Sequence, residues 1–165
     1  MFPKEIIEHS VTVTLKGYDD IEMILLKGHL VLEQALSQFI VAHQLDSKRV
    51  DAMNLMFGKT LELAMALNSK LIENEYPHLK EINRIRNKLA HELFFDDYHD
   101  DLKQWSSKVL GYTPKSIDKK RTYKNHIIKA FSWLAGILVG ISNGVEAIKD
   151  PKKTDTVDAP KVRAN

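Results

Sequence analysis

The chain has 165 residues, of which 44% are apolar and 28% charged, so it suits one compact globular domain and is not wholly disordered. The 24 Lys and Arg residues exceed the 22 Asp and Glu residues by only two, which gives no overall attraction for nucleic acid. The absence of cysteine excludes disulfide frameworks, cysteine zinc sites and thiol nucleophiles.

The sequence also bears on location. Its first residues lack the basic stretch and apolar run of a secretory signal. The longest uncharged stretch, residues 130–145, has 16 residues, whereas a membrane-spanning helix needs roughly 20. We therefore predict a cytoplasmic protein with no membrane span, in which this stretch forms a buried helix.

Residues 1–18 allow two interpretations. Val11, Val13 and Leu15 alternate with Thr12 and Thr14, which is the period of a strand. No other part of the sequence offers this strand a partner. We therefore favour a helix that frays in this segment.

Apolar residues at helical spacing predict four long helices. They cover residues 20–43, residues 47–68 with Ser47 as the N-cap, a segment that begins near Tyr76 and Pro77, and residues 122–149. The inward positions of the second helix are predicted to be Val50, Met53, Phe57, Leu61 and Ala64.

Shorter elements complete the predicted fold. Residues 94–116 form a looser segment with a short helix at 100–110 and a turn at 111–114. Pro151 and Pro160 mark a disordered charged tail at 151–165, after a single domain at 1–150. The fold class is all-α, a bundle of four long helices plus one or two short ones.

The last helix has a face of small residues. Gly136, Gly140 and Gly144 recur every four residues, and such a face lets another backbone approach closely. Each helical glycine costs about 1 kcal/mol relative to alanine, so the repetition indicates a use. The face serves either tight packing within one chain or a contact between two chains.

The third helix carries a polar arc beside its buried stripe. Asn87 and His91 are four residues apart and share a face, and Arg86 lies at the boundary of the core face. The arc therefore combines a cation, an amide and an imidazole. His9, His29, His43 and His78 are isolated, and we predict ordinary helix positions for them.

This set of residues suits cleavage of a phosphodiester without a metal ion. His91 would exchange protons with a ribose 2′-hydroxyl or a leaving oxygen, Arg86 would hold the phosphate, and Asn87 would position either partner. Because one histidine cannot easily act as both base and acid, a two-fold dimer would have to supply the second. The alternative is a solvated helix face with a surface histidine.

The run Arg-Asn-Lys-Leu-Ala-His at residues 86–91 resembles the Arg-polar-x-x-x-His motif of HEPN domains. A long amphipathic helix before the motif and a closing helix after it fit the same pattern. The resemblance implies a HEPN-like helical bundle that forms a homodimer and acts as a metal-independent endoribonuclease of the toxin–antitoxin or phage-defence type. It implies that Arg86 and His91 are the catalytic pair, with Asn87 as the adjacent polar residue.

The segment from Phe-Gly-Lys-Thr-Leu at residues 57–61 through the same motif also resembles the mannitol operon repressor family, a HEPN relative without established nuclease activity. The resemblance covers roughly residues 20–98, and residues 122–149 more weakly. Leu93 departs from one HEPN toxin subfamily, which has Tyr at that position. The alternative function is a non-catalytic regulatory or interaction module. The predicted partners are a second copy, RNA, and an antitoxin or regulatory protein, with no cofactor or metal.

The small net charge conceals two opposed segments, −5 at residues 92–101 and +5 at residues 115–129. The basic segment either binds RNA or neutralises the acidic one. Carboxylates and His99 in the acidic segment would suit a metal ion, but a solvated loop is the prediction. The candidate RNA-binding residues are Arg84, Lys88, Lys119, Lys120, Arg121 and Lys124.

Overall fold

The computed structural model describes residues 4–43, 46–92, 95 and 97–149, with only the backbone of Asp51. These residues form seven α-helices and no strand, which confirms the all-α prediction. The predicted tail at 151–165 lies outside the described residues, as does Leu93. The helices are α1 (Lys4–Lys16), α2 (Ile21–Ala42), α3 (Ser47–Ala52), α4 (Phe57–Ile72), α5 (Tyr76–His91), α6 (Tyr98–Leu110) and α7 (Lys120–Lys149).

The N-terminal segment is a helix rather than a strand, and it does not fray where we expected. In α1, Val11 and Leu15 are buried because they lie four residues apart, while Val13 is 57% exposed. The Thr12 hydroxyl shares a 2.8 Å hydrogen bond with the hydroxyl of Ser132 in α7. Burial in this segment thus follows the helical period, and the alternation of valine with threonine does not correspond to a strand.

The predicted helix at 47–68 is wrong, because the chain turns between α3 and α4. Asn54 has a φ of +46°, a left-handed conformation that asparagine tolerates better than most residues. The turn leaves Met53 56% exposed, although its spacing predicted an inward position. The cap of α3 also differs from the prediction, since Asp46 rather than Ser47 accepts a hydrogen bond, from the backbone N–H of Lys48.

Helix α7 forms the centre of the fold and packs against α1, α2 and α6, while α4 and α5 cover the other side of α2. Helix α2 approaches α7 tightly at Gly28, where a Cβ would lie 2.6 Å from the ring of Phe131. Trp105 of α6 packs on the same ring at 4.8 Å between centroids. An alanine at residue 28 would therefore force this packing apart.

The glycine face of α7 is used within the chain. A Cβ at Gly136 would lie 2.5 Å from the Glu8 side chain, and one at Gly140 would lie 3.9 Å from Lys4. Helix α1 therefore covers the first two glycines. A Cβ at Gly144 would meet nothing within 4 Å.

Two helices of the described chain, α2 and α7, are long and apolar enough to cross a membrane. They also pack on each other and supply much of the buried core. The core helix of a soluble protein can have the same length and composition. The absence of a membrane span stays a prediction.

Helix α5 begins where Pro77 predicts it, and it ends directly after His91. The backbone N–H of Glu92 donates to the carbonyl of Lys88 at 2.8 Å and closes the last turn. Helix α6 is two residues longer at its start than the predicted 100–110 helix, and it ends at Gly111, whose φ is +74°. The indole N–H of Trp105 donates to the carbonyl of His78 at 3.0 Å and fixes α6 on α5.

Candidate functional site

The predicted catalytic residues lie on the last two turns of α5. Arg86 and Asn87 are half-buried, and a guanidinium N–H of Arg86 donates to the side-chain oxygen of Asn87 at 3.1 Å. The bond occupies the side-chain oxygen of Asn87, so the remaining polar group of this amide is its NH₂ donor. His91 is exposed in the final turn.

Arg86 and Asn87 open into a cavity of about 730 Å³ between α2, α4 and α5, which we call the Arg86 groove. Its volume lies within the range of roughly 300–1,000 Å³ typical of ligand sites. Its apolar wall comprises Met23, Leu26, Leu30, Met56 and Phe57. Its polar lining comprises Lys27, His29, Glu33, Lys59, Glu62, Asn83, Arg86 and Asn87.

His29 forms the buried base of the Arg86 groove. It is only 5% exposed, and its ring packs on Phe57 with 4.2 Å between centroids. A ring nitrogen, Nε2, makes a 3.2 Å hydrogen bond to the side-chain oxygen of Asn83. Burial lowers the pKa of His29 to about 4, with the positive charge of Arg86 acting in the same direction and the Asn83 bond opposing it.

The sequence interpretation overlooked His29 as a part of the site. The sequence predicts an ordinary helix position for it, but it belongs to the buried face of α2, together with Leu25 and Leu32. A histidine at helical spacing within an apolar stripe was the available signal. Asn83, one turn before Arg86 on α5, was also overlooked as a part of the site.

His91 lines a different cavity from Arg86. This second cavity, the His91 cleft, has about 420 Å³ and is lined by Glu22, Leu89, Ala90, His91, Glu92, Phe95 and Tyr98. Two carboxylates, those of Glu22 and Glu92, therefore share the cleft with the imidazole. Within one protomer, the structure places Arg86 and Asn87 together and His91 apart from them.

Three of the candidate RNA-binding residues already have acidic partners. Arg84 forms 2.8 Å ion pairs with Glu81 and with Asp101, and these hydrogen bonds raise the pKa of its guanidinium further above its usual range. Lys88 lies 3.8 Å from the Glu92 carboxylate, and Lys124 lies 2.7 Å from that of Asp19. Lys119, Lys120 and Arg121 are exposed around the start of α7.

Among the residues that the structure describes, no ion pair joins an acidic residue of 92–101 to a basic residue of 115–129. Lys103, which belongs to neither segment, contacts Asp100 at 3.4 Å and Asp118 at 2.9 Å. Arg84 holds Asp101 from α5. Asp100 and Asp101 of α6 therefore form ion pairs with Lys103 of α6 and Arg84 of α5. Among the described residues, neither carboxylate pairs with the exposed basic residues at the start of α7.

The alternative of a metal ion in the acidic segment has no support from the residues that the structure describes. Among them, no group of three or more His, Asp or Glu side chains is placed to hold an ion. Asp96, which belongs to the same segment, lies outside the described residues.

No protein-family model, curated protein or solved structure matches this chain. The resemblance to HEPN domains and to the mannitol operon repressor family therefore rests on the residues quoted for it.

Proposed function

We propose that this protein is a metal-independent endoribonuclease of the toxin or defence type, cytoplasmic and active as a homodimer. In the proposal, Arg86 binds the scissile phosphate, Asn87 positions it, and His91 transfers protons. The observation that carries it is the arrangement at the end of α5. There an exposed imidazole follows a guanidinium–amide pair that lines a ligand-sized groove.

The proposed reaction is an internal transesterification. The ribose 2′-oxygen loses its proton to a base and attacks phosphorus, so a bond from phosphorus to the 2′-oxygen forms as the bond to the 5′-oxygen breaks. A general acid protonates the leaving 5′-oxygen, which yields a 2′,3′-cyclic phosphate and a 5′-hydroxyl. Arg86 stabilises the charge that builds on the non-bridging oxygens.

Two copies are required because one protomer separates its phosphate-binding group from its proton-transfer group. Arg86 and His91 are five residues apart, or about 7.5 Å along the helix axis, and they line different cavities. A two-fold axis near α5 would bring Arg86 of each copy towards His91 of the other.

RNA cleavage in the presence of EDTA tests this function. We expect the wild-type chain to cut RNA, His91→Ala to abolish cutting, and His9→Ala to leave it unchanged, because His9 is an exposed histidine on the distant α1. Intact RNA at high protein concentration, or full activity in His91→Ala, would contradict the proposal.

Mixing two inactive variants tests the shared site. Arg86→Ala and His91→Ala are each inactive, but a mixed dimer retains one pair in which Arg86 of one copy meets His91 of the other. Random pairing makes half of the dimers mixed, and each of these keeps one of the two pairs and one of the two histidines. Some activity should therefore return, at no more than about a quarter of the wild-type activity. No recovery after subunit exchange, verified with differently tagged copies, would contradict the proposed pairing of these two residues across the dimer.

A non-catalytic regulatory or interaction module is the second candidate, and the His91 cleft favours it. Glu22 and Glu92 place negative charge beside His91, which opposes the approach of a phosphate. On this alternative, Arg86→Ala and His91→Ala change dimerisation or binding of an antitoxin or regulatory protein, and no variant cuts RNA. Size-exclusion chromatography with light scattering, run beside the cleavage assay, separates the two.

A further inference from the structure

The base of the Arg86 groove presents a set of hydrogen-bond donors. The Asn83 side-chain oxygen can only accept, so Nε2 of His29 must carry the proton that joins them. His29 is neutral in this arrangement, as its burial requires. The bond fixes the orientation of the Asn83 amide, whose NH₂ group turns away from the imidazole.

The Asn83 NH₂ group lies beside Gly58, at the start of α4. A Cβ at Gly58 would come 3.6 Å from this nitrogen, which is ordinary van der Waals contact. Both residues line the groove. The missing side chain at Gly58 therefore leaves room next to the amide donors.

Asn83, Arg86 and Asn87 follow one face of α5 at spacings of three and four residues. The Arg86 guanidinium occupies the Asn87 oxygen, so Asn87 also offers its NH₂ group. Two amides and a guanidinium together give the α5 side of the groove a set of hydrogen-bond donors. Of the two carboxylates at its rim, that of Glu62 already accepts a 2.7 Å hydrogen bond from the Tyr76 hydroxyl.

The opposite wall of the groove is apolar and accessible. Met23, Leu26 and Leu30 are 38%, 39% and 50% exposed, and Met56 is 76% exposed. A ligand that fits both walls needs hydrogen-bond acceptors and an anionic group on the side that faces α5. On the side that faces α2 it needs a flat apolar surface. A nucleotide has this combination, since its phosphate is anionic, its base edge carries acceptors, and its base faces are apolar.

We propose that the Arg86 groove is a nucleotide-binding subsite, in which Arg86 and Asn87 hold a phosphate and the Asn83 amide donates to an acceptor on the base edge. His29 is the positioning residue that orients Asn83, and the methionine and leucine side chains of α2 contact the base. The inference rests on the proposed ribonuclease function, because the subsite would seat the nucleotide next to the scissile bond. The same chemistry fits a nucleotide within an RNA chain and a free nucleotide.

Calorimetric titration of the full-length His91→Ala protein tests the subsite without cleavage. The probes are uridine and adenosine monophosphates and an eight-nucleotide RNA of mixed sequence. Binding of the RNA alone assigns the subsite to a nucleotide within the chain, and binding of a monophosphate alone assigns it to a free nucleotide. Either supports the proposal, and binding of neither probe overturns it.

Two second-site variants locate the binding. Gly58→Ala puts a methyl group against the Asn83 NH₂ group, and we expect it to weaken nucleotide binding about tenfold, as the loss of one good hydrogen bond does. Asn83→Asp keeps the acceptor for His29 but replaces the donor with a carboxylate, and we expect a loss of at least that size. Gly144→Ala is the matched control, because this helical glycine has nothing near its Cβ position.

The variants must remain folded for this comparison, which thermal melts verify. If folded Gly58→Ala and Asn83→Asp bind nucleotides as well as Gly144→Ala does, the groove is not the subsite. A cleavage assay on proteins that retain His91 keeps the two proposals separate. RNA cutting without nucleotide binding overturns the subsite alone, whereas nucleotide binding without cutting overturns the ribonuclease function alone.

Discussion

The two cavities along α5 differ in how far their geometry is prepared for a ligand. In the Arg86 groove, a buried histidine orients one amide and a guanidinium orients another, beside an apolar wall. In the His91 cleft, an exposed imidazole stands among carboxylates, with Phe95 and Tyr98 nearby. The groove thus holds several side chains in fixed orientations, whereas the cleft exposes a single imidazole. One helix supplies both because residues 86 and 91 point in different directions.

The largest expected effect is a loss of cleavage rate in a variant of the His91 cleft, compared with a loss of substrate binding in a variant of the Arg86 groove. His91→Ala should lower kcat by about 10²- to 10⁴-fold, the usual contribution of a general acid or base. Asn83→Asp should act mainly on KM, because it alters binding in the groove and leaves the imidazole in place. Steady-state cleavage of a fluorescent RNA measures both constants. An equal loss of kcat in the two variants would contradict the division between groove and cleft.

The next effect concerns the stability of the groove as pH falls. The pKa of His29 is about 4 in the folded chain and about 6.5 in an unfolded one. Between these values the unfolded state binds more protons, so this contribution to stability is complete above about pH 6.5 and is lost as pH falls towards 4. The loss should be on the order of 3 kcal/mol.

Urea unfolding of the wild type and of His29→Gln at pH 7 and pH 4 measures this contribution. The wild type should lose more stability than the variant, which cannot titrate at this position. His78 and His126, whose pKa values burial also lowers, remain in both proteins, so their effects cancel in the comparison. An identical pH dependence in the two proteins would show that His29 is not held neutral in the groove.

A smaller effect tests the charge of the His91 cleft. Glu22→Gln removes one carboxylate from beside the imidazole, so an RNA phosphate should approach more easily. We expect a two- to fivefold gain in RNA affinity, which is about the size of one exposed charge interaction. Filter binding at low and high salt measures it, with Glu5→Gln on α1 as the control. A loss of affinity would indicate that Glu22 itself takes part in binding.

The smallest effect concerns Arg84, which lies on α5 but is held by Glu81 and Asp101. Since this network is about half exposed, Arg84→Ala should cost roughly 0.5–1 kcal/mol of stability. Its effect on RNA affinity should be smaller than that of Arg121→Ala. Thermal unfolding and filter binding measure the two quantities. A larger loss of RNA affinity for Arg84→Ala would mean that RNA displaces the carboxylates.

The sequence by itself determined the helices whose apolar stripes are long and uninterrupted. The periods of α2, α5 and α7 follow directly from their residues, and Pro77 and Gly111 mark boundaries that the structure keeps. The placement of Arg86, Asn87 and His91 on one helix was also predictable from helical spacing, whereas the cavity that each of them lines was not.

Only the tertiary structure decided the break between α3 and α4. The apolar spacing continues from Val50 to Ala64, so the period gave no sign of a turn. The turn depends on the left-handed conformation of Asn54 and on the packing of α4 against α2 and α5. The same turn brings Gly58 to Asn83, which lies 25 residues further along the chain.

Tertiary structure also decided which polar residues meet. His29 joins the site because α2 carries it beneath α5, and Glu22 enters the His91 cleft for the same reason. The spacing of residues along one helix shows which side of that helix each residue occupies. It does not show which neighbouring helix that side faces. Whether a charge is available or already paired, as at Arg84 and Lys124, likewise depends on carboxylates brought from distant parts of the sequence.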